Sequence, residues 1–306
     1  MRKRLPTVTV GAAAYNEEVN IVNFLKSVLN QKEEGFILKW IFVISDGSKD
    51  RTVRIAKSIN NQKIKVVDSK RRLGQPTRLN QIYSRFDSDY LIQTDADTIF
   101  ANNDDIKKIV ETFEKNKEVV MCGGKIYFLK PKSLVQRAVY VSDLIYKTAG
   151  DLYRHGNNIF TAHGAFLAYR KKYIKSVRIP KDVIANDKYV YLTSVTRGLN
   201  YKFVNNAAIY TELPLTLKDQ IKQNTRFKTA KEQLALYFPL NLLKKEYYLP
   251  KGLIVKNLIY QIILNPVPLM YMFLINRYCK LLAKRQQKKM SNILWDKLER
   301  TVIAVN

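Results

Sequence analysis

Short apolar runs alternate with amphipathic helical patterns along the first half of the chain. The runs at residues 8–14 and 90–93 are β-rich, and apolar positions at helical spacing follow each of them. Strands that alternate with helices predict an α/β fold, with a mostly parallel sheet covered by helices on both faces. The predicted strands are 8–14, 40–44, 64–67, 90–93 and 119–121, and the predicted helices are 17–28, one from about 50, 75–86, 103–115 and 133–153.

The pattern continues less regularly beyond residue 153. Residues 160–169 look extended, and a short helix with two short strands is predicted after Asp187. A long basic helix follows at about 217–237. The hydrophobic pattern therefore predicts one α/β domain over residues 1–235 and a separate helical region over residues 236–306.

The C-terminal region contains an uncharged stretch at residues 257–276, a length that is sufficient in principle to span a bilayer. Polar residues and prolines interrupt it, which favours shallow insertion at a membrane interface over a full span. The alternative is a pair of helices buried against the α/β domain. The interrupting residues are Asn257, Gln261, Asn265, Pro266 and Pro268, and the basic residues that follow are Lys280, Lys284, Arg285, Lys288 and Lys289.

The net charge of the chain indicates the class of partner that it binds. With 53 Lys and Arg against 26 Asp and Glu, the formal net charge is +27. Such an excess favours an anionic partner, although solvated basic faces also contribute to it. No nucleic-acid reading motif occurs, so we expect no nucleic-acid partner. Cys122 and Cys279 lie far apart without ligand spacing, which argues against a disulfide framework or structural zinc and suits the cytoplasm.

The candidate chemistry begins with Asp95 and Asp97, directly after the predicted strand at 90–93. Two carboxylates at the end of such a strand can hold Mg²⁺ or a similar hard cation while phosphate oxygens complete its shell. Acidic turns are common, so this pair alone is a weak signal. Two further polar loops, at residues 12–18 and 45–52, follow the first two predicted strands. Ligands bind at the carboxyl ends of such strands, so the three loops together predict a nucleotide pocket. The alternative for each loop taken singly is that it only caps the helix that follows.

These ordered motifs resemble those of the inverting family 2 glycosyltransferases, which have a GT-A α/β fold, and the resemblance runs from about Thr7 to Phe227. It implies that residues 1–235 are the catalytic domain and that Asp97 binds Mg²⁺ or Mn²⁺. Gln75 stands where the family usually has lysine, so Arg72 or Arg78 is a candidate for the missing charge contact. The nucleotide-binding residues that the resemblance implies are Ala13, Tyr15, Glu17, Asp46, Gln75 and Asp95.

The resemblance also implies the acceptor side of the site. Asp187 matches the general base, a carboxylate that takes the proton of the attacking hydroxyl, while Asn186 replaces the first acid of the family's pair. The alternative for Asp187 is a helix cap. The loop with His163 and Gly164 resembles the family's acceptor loop, although a histidine held structurally is as good an explanation.

A last motif lies on the basic helix. Gln223, Arg226 and Phe227 resemble the Gln-x-x-Arg-Trp motif of polysaccharide and glycolipid synthases, with Phe in place of Trp. Gln223 and Arg226 share one helix face, and Arg226 is suited to diphosphate oxygens. Phe227 is expected to pack on the acceptor sugar.

The function implied is transfer of a sugar, with inversion, from a UDP-sugar to a hydroxyl of a lipid-linked or polysaccharide acceptor. We expect addition of one or a few sugars at the cytoplasmic face of an anionic membrane surface, by a peripheral or shallowly inserted protein. A nucleotidyltransferase is disfavoured because no N-terminal Gly-rich basic loop is present. A catalytically weak GT-A-like scaffold fits Gln75 and Asn186 but not the intact Asp187 and Arg226.

Overall fold

The computed structural model of the chain describes residues 4–286 and contains one eight-stranded sheet. Its strand order is β3-β2-β1-β4-β7-β6-β8-β5. The four strands β3, β2, β1 and β4 pair in parallel, whereas β7 is antiparallel to both of its neighbours. The strands are β1 Thr7–Ala14, β2 Ile37–Asp46, β3 Ile64–Ser69, β4 Tyr90–Asp95, β5 Ile99–Phe100, β6 Val119–Phe128, β7 Phe166–Arg170 and β8 Asn200–Thr211.

Helices cover both faces of the sheet, as the hydrophobic pattern predicts, and one hydrophobic core lies on each face. Phe24 and Phe113 belong to one core, and Ile82 and Tyr191 belong to the other. Gly11 in the centre of β1 allows close packing, because a Cβ there would lie 2.6 Å from Ile82 Cγ2. The helices that flank the sheet are α1 Ile21–Leu29, α2 Thr52–Ser58, α3 Gln75–Arg85, α4 Asp105–Lys115, α5 Leu134–Leu152, α6 Lys171–Ile174, α7 Asn186–Thr196 and α8 Leu217–Gln233.

Two details differ from the sequence prediction. The predicted extended segment at 160–169 is a strand only at Phe166–Arg170, because turns occupy the residues before it. The two short strands predicted after α7 are one strand, β8. Its pairing with β6 shifts register between Val204 and Ala208, where the chain carries two asparagines. This irregularity explains why the strand reads as two segments in the sequence.

The C-terminal helices are α9 Leu240–Glu246, α10 Lys251–Leu264 and α11 Pro266–Gln286, and Asn265 separates the last two. Helices α10 and α11 form a layer against α5, and α11 also packs on α8. Leu269 and Met272 pack on Ala138, Val141 and Ile145 of α5.

The opposite face of this helix layer is apolar and exposed. Within residues 4–286, no helix is both long and apolar enough to cross a bilayer. The predicted basic cluster extends to Lys288 and Lys289, which lie outside the described residues. Exposed apolar side chains on α10 and α11 are Ile259, Tyr260, Ile263, Leu264, Val267, Met270, Phe273 and Leu274.

Candidate active site

The carboxyl ends of β1, β2 and β4 lie side by side, because these strands are parallel neighbours. Ala13 pairs with Asp95 across β1 and β4, and Ala14 pairs with Ser45 across β1 and β2. The three polar loops predicted from the sequence therefore leave the sheet at one edge, which we call the donor edge. Ligands of open α/β sheets bind at such an edge.

The first two loops of the donor edge hold each other. The backbone N–H groups of Asn16 and Glu17 donate to Ser48 Oγ (3.1 Å) and Thr52 Oγ1 (2.6 Å). Glu17 is buried and accepts a hydrogen bond from the Asn20 side chain at 3.0 Å. Its contacts brace the loop, and its predicted nucleoside contact stays a prediction.

Tyr15 lies on the first loop of the donor edge and contacts Arg72. The Arg72 guanidinium carbon lies 3.9 Å from the centre of the Tyr15 ring, the geometry of a cation–π contact. Arg72 was one of the two candidates for the charge that Gln75 does not supply. The structure places it beside the residue that the resemblance assigns to the nucleoside.

Asp46 is completely buried and anchors the loop before α3. Its Oδ1 accepts from the Leu73 N–H (2.8 Å) and from Arg78 Nε (2.8 Å), and its Oδ2 accepts from the Gly74 N–H (3.0 Å). Arg78 also donates to the carbonyl of Arg71. Arg78 thus serves this loop, and contact of Asp46 with a nucleobase requires the loop to move.

Gln75 and Asn186, the two departures from the family pattern, are hydrogen-bonded to each other. Gln75 Nε2 donates to Asp95 Oδ1 at 3.1 Å, and Asn186 Nδ2 donates to Gln75 Oε1 at 2.9 Å. An ionised Asp95 only accepts, so it directs the Gln75 amide group toward itself and the Gln75 oxygen toward Asn186. A neutral bridge therefore links the donor edge to the residue before Asp187.

Asp187 lies at the other end of this bridge, in the first turn of α7. The helix begins after Ala185, which occupies the N-cap position. The side chain of Asp187 keeps 17% of its surface exposed. Its Oδ2 accepts from the Gly164 N–H at 3.1 Å and lies 3.5 Å from Lys188 Nζ, and its Oδ1 accepts from the Lys188 N–H at 2.8 Å.

These contacts keep Asp187 ionised. Burial opposes ionisation, but the positive charge of Lys188, the neighbouring His163 and the two backbone N–H groups outweigh it, so the pKa of Asp187 is lowered. Lys188 is itself fixed, because its Nζ donates to the carbonyls of Ile159 (2.9 Å) and Ala162 (2.7 Å). An accessible, ionised carboxylate can accept a proton from a hydroxyl.

His163 and Gly164 form the loop beside Asp187. The Ala165 N–H donates to His163 Nδ1 at 3.2 Å, which requires that nitrogen to be unprotonated. The ring keeps an exposed edge, while the protein atoms crowded around it desolvate it and lower its pKa. His163 is therefore neutral at physiological pH and carries its proton on Nε2.

The helix α8 carries the last motif. Gln223 and Arg226 lie one turn apart, and Phe227 is 51% exposed. Burial lowers the pKa of His163, and the positive charge of Arg226 acts in the same direction. The Arg226 guanidinium carbon is 5.8 Å from the centre of the Phe227 ring. Arg226 thus acts electrostatically on His163, and the exposed Phe227 ring lies beside Arg226.

Asp95 and Asp97 are the residues able to hold a metal. Asp97 is buried, and the turn that carries both is braced by a hydrogen bond between Thr94 and Thr98 hydroxyls (2.6 Å). No group of three or more His, Cys, Asp or Glu side chains suited to a metal occurs among residues 4–286. Two carboxylates are nevertheless what Mg²⁺ takes from a protein when phosphate oxygens fill its other positions.

Two residues of the candidate site were not predicted from the sequence. Lys188 sets the charge of Asp187, and its position next to Asp187 was the available signal. Gln93 is buried in β4 and donates to the Gly164 carbonyl at 3.2 Å, which ties the acceptor loop to the donor edge. A glutamine directly after the apolar residues of a strand is the only sign of it in the sequence.

The parallel edge with its carboxylate pair, facing an ionised aspartate on a separate helix, defines a GT-A glycosyltransferase. The chain belongs to glycosyl transferase family 2, whose family model matches residues 9–178. The sequence expectation of this family and of its fold is confirmed.

Individual relatives agree with this assignment. An uncharacterized glycosyltransferase of Haemophilus influenzae is 28% identical over 200 residues, covering 65% of this chain and 59% of the relative. The poly-beta-1,6-N-acetyl-D-glucosamine synthase of Staphylococcus aureus is 27% identical over 238 residues, covering 76% of this chain and 56% of the synthase. The chain thus spans between one half and two thirds of the length of these relatives.

The fold is also found among solved structures. The mannosyltransferase PcManGT from Pyrobaculum calidifontis, in complex with GDP-Man and Mn²⁺, superposes with a TM-score of 0.57 at 16% identity. The match covers 93% of this chain and 79% of that protein. At this identity the likeness establishes a common fold.

Proposed function

We propose that this protein transfers a sugar from a nucleotide-sugar, with inversion, to a hydroxyl group of a glycan acceptor, with Asp187 as the general base. The single observation that carries this proposal is the state of Asp187. It is partly exposed, held ionised by Lys188 and backbone N–H groups, and linked to the donor edge through Asn186 and Gln75. A base in this state can take the acceptor proton during attack on the anomeric carbon.

The donor edge would hold the nucleotide. Asp97, with Asp95 beside it, fits Mg²⁺ or Mn²⁺, which when bound neutralises charge on the departing diphosphate. Arg226 on α8 is suited to diphosphate oxygens. Tyr15 and Ala13 lie on the loop expected to meet the nucleoside, and Asp46 is expected at the base once its loop moves.

The proposed nucleotide is UDP, because the Asp46 loop resembles the family loop that reads uracil. The mannosyltransferase that shares this fold was solved with GDP-Man and Mn²⁺, so GDP is the rival donor nucleotide. The synthase relative acts in polysaccharide formation by its name, which supports a glycan acceptor.

We further propose that the protein works at the cytoplasmic face of an anionic membrane on a lipid-linked or polysaccharide acceptor. The apolar outer face of α10 and α11 and the charge of +27 support this. Ile263 is 72% exposed in the middle of that face. Co-sedimentation with vesicles containing phosphatidylglycerol tests it, and equal binding by Ile263→Glu would count against it.

Titration with UDP, GDP and CDP, with and without Mn²⁺, tests the donor site. We expect Mn²⁺-dependent binding of UDP that Asp97→Ala abolishes, while Asp182→Ala, an exposed control, retains it. Preference for GDP would correct the nucleotide. Absence of binding to all three by folded protein would instead favour the scaffold alternative, which Gln75 and Asn186 first suggested.

A further inference from the structure

A cavity of about 170 Å³ lies beside the candidate active site, between α5, the end of β6 and the loop that carries His163. We call it the α5 cavity. His163 forms its wall on the side of Asp187, since the residue after His163 donates to the Asp187 carboxylate. Engineered cavities of about 150 Å³ accommodate a six-membered ring. A pyranose with its hydroxyls is larger than that ring, and the α5 cavity is open on one side, so it can take the sugar ring with part of the sugar outside.

The helix α5 separates this cavity from the C-terminal helices. Val141 and Ile145 face α10 and α11 within a small apolar cluster. Asp143, Lys147 and Asp151 recur at four-residue spacing and line the cavity instead. One helix thus joins the exposed apolar layer to a polar cavity next to the general base.

The three charged groups of α5 that line the cavity leave one hydrogen-bond acceptor unused. Lys147 Nζ donates to the Ile126 carbonyl and lies 3.8 Å from Asp143 Oδ2. Asp151 Oδ1 is buried and has no hydrogen-bond partner within residues 4–286. A buried carboxylate oxygen without a partner is costly, and a ligand hydroxyl can supply the missing donor.

The other walls of the cavity are aromatic. Phe128, Phe160 and Phe203 line it, and Tyr146 stands half-exposed at its rim. A pyranose ring has faces of C–H groups and an edge of hydroxyls, so it needs apolar walls and a few placed polar groups. The carboxylates of Asp143 and Asp151 are balanced by the ammonium groups of Lys125 and Lys147, so the lining carries no net positive charge that would favour an acidic sugar.

We propose that the α5 cavity is the acceptor subsite and binds the terminal neutral pyranose of the acceptor glycan. Its hydroxyls donate to Asp143 and Asp151, and the ring lies alongside His163 with one hydroxyl directed toward Asp187. This inference rests on the proposed function for the identity of the reaction, but the binding event is independent of the donor. A lipid-linked glycan and a free polysaccharide share this terminal ring.

Saturation-transfer NMR with methyl pyranosides of glucose, galactose, mannose and N-acetylglucosamine tests the subsite on the full chain. At least one pyranoside should bind, and Asp151→Asn should weaken that binding about tenfold or more, since a hydrogen bond to a charged group is lost. Asp143→Asn should act in the same direction. Glu111→Gln removes the same charge on the exposed face of α4 and should change nothing.

UDP affinity, measured on each variant in parallel, separates the two proposals. Loss of pyranoside binding with unchanged UDP affinity supports the subsite and shows that the variant is folded. Pyranoside binding unaffected by Asp151→Asn, or no pyranoside binding by protein that binds UDP, overturns it. Pyranoside binding without any nucleotide binding would reject the proposed function alone. Repeating the measurement with a lipid-linked and a free oligosaccharide then tells the two sources apart.

Discussion

At the donor edge, the functional side chains lie at or just after the ends of neighbouring parallel strands or at the start of α3, whereas the acceptor side combines a loop and three helices. Asp95 and Asp97 come from the end of β4 and its turn. Asp143, His163, Asp187 and Arg226, by contrast, come from three different helices and a loop. A shared sheet edge fixes the first region by topology, while packing between distant segments fixes the second. The spatial arrangement of the first region can therefore be predicted from the sequence, whereas that of the second cannot.

The largest effect is expected where the donor edge depends on a buried ion pair. Arg78→Met leaves Asp46 buried without its cation and should lower the free energy of unfolding by about 3–5 kcal/mol. Urea unfolding measures this. Lys115→Met breaks an exposed pair with Glu111 and should cost less than about 1 kcal/mol. Equal effects of the two changes would mean that the Asp46 loop is not held as described.

The bridge between the two regions allows a compensation test. Asn186→Asp places a carboxylate on each side of Gln75. The Gln75 side chain can donate through Nε2 to Asp95, but its Oε1 cannot donate to the new carboxylate. Donor affinity should therefore fall roughly tenfold. Adding Gln75→Lys should restore it, because an ammonium group donates to both carboxylates.

Gln75→Lys alone is expected to be milder, since Asn186 can turn its amide oxygen toward the ammonium. The measurement is UDP-sugar affinity by calorimetry across the four proteins of the cycle. Strictly additive changes would mean that the two departures from the family pattern are independent.

The smallest effect, a few-fold change, concerns pH and distinguishes two carboxylates of the acceptor side. Burial raises the pKa of Asp143 to about 6, against the opposing charge of Lys147, whereas the pKa of Asp187 is lowered. The other charged groups near Asp143 are Asp151 on α5 and Lys125 on β6. Asp143 is thus ionised above about pH 6 and protonated below it, while Asp187 stays ionised throughout.

Acceptor affinity should therefore fall as the pH drops from 8 to 5, and Asp143→Asn should remove the part of this fall near pH 6. Asp187 stays ionised between pH 8 and pH 5, so its protonation should not lower the turnover number at saturating acceptor in this range. A pH series of acceptor KM and kcat distinguishes these. A fall in kcat that persists in Asp143→Asn would contradict the lowered pKa of Asp187.

The sequence predicted the donor half of the fold well. Short buried runs such as residues 8–14 and 90–93 indicate parallel strands when a helical pattern follows each of them. Its failure at β8 has a local cause. Asn205 and Asn206 read as a turn, but they lie where the pairing with β6 shifts register. Tertiary pairing decides such a segment, and local propensity does not report it.

The candidate site, like the fold, could be predicted from the sequence only in part. The roles assigned to Asp97, Asp187 and Arg226 came from motifs and stay predictions, while their surroundings came from the structure. The bond between Gln75 and Asn186 joins residues 111 positions apart, and no local pattern encodes it. The α5 cavity likewise needs β6, α5 and the loop at 163 to meet.

The most direct test of the account compares turnover and donor binding in Asp187→Asn. General-base catalysis contributes about 10²–10⁴-fold, so kcat should fall within that range while the affinity for UDP and Mn²⁺ stays within about twofold of the wild type. Asp182→Asn, an exposed aspartate on the loop before α7, is the matched control. Wild-type turnover in Asp187→Asn would contradict the assignment of the base, and with it the proposal that acceptor activation occurs opposite the donor edge.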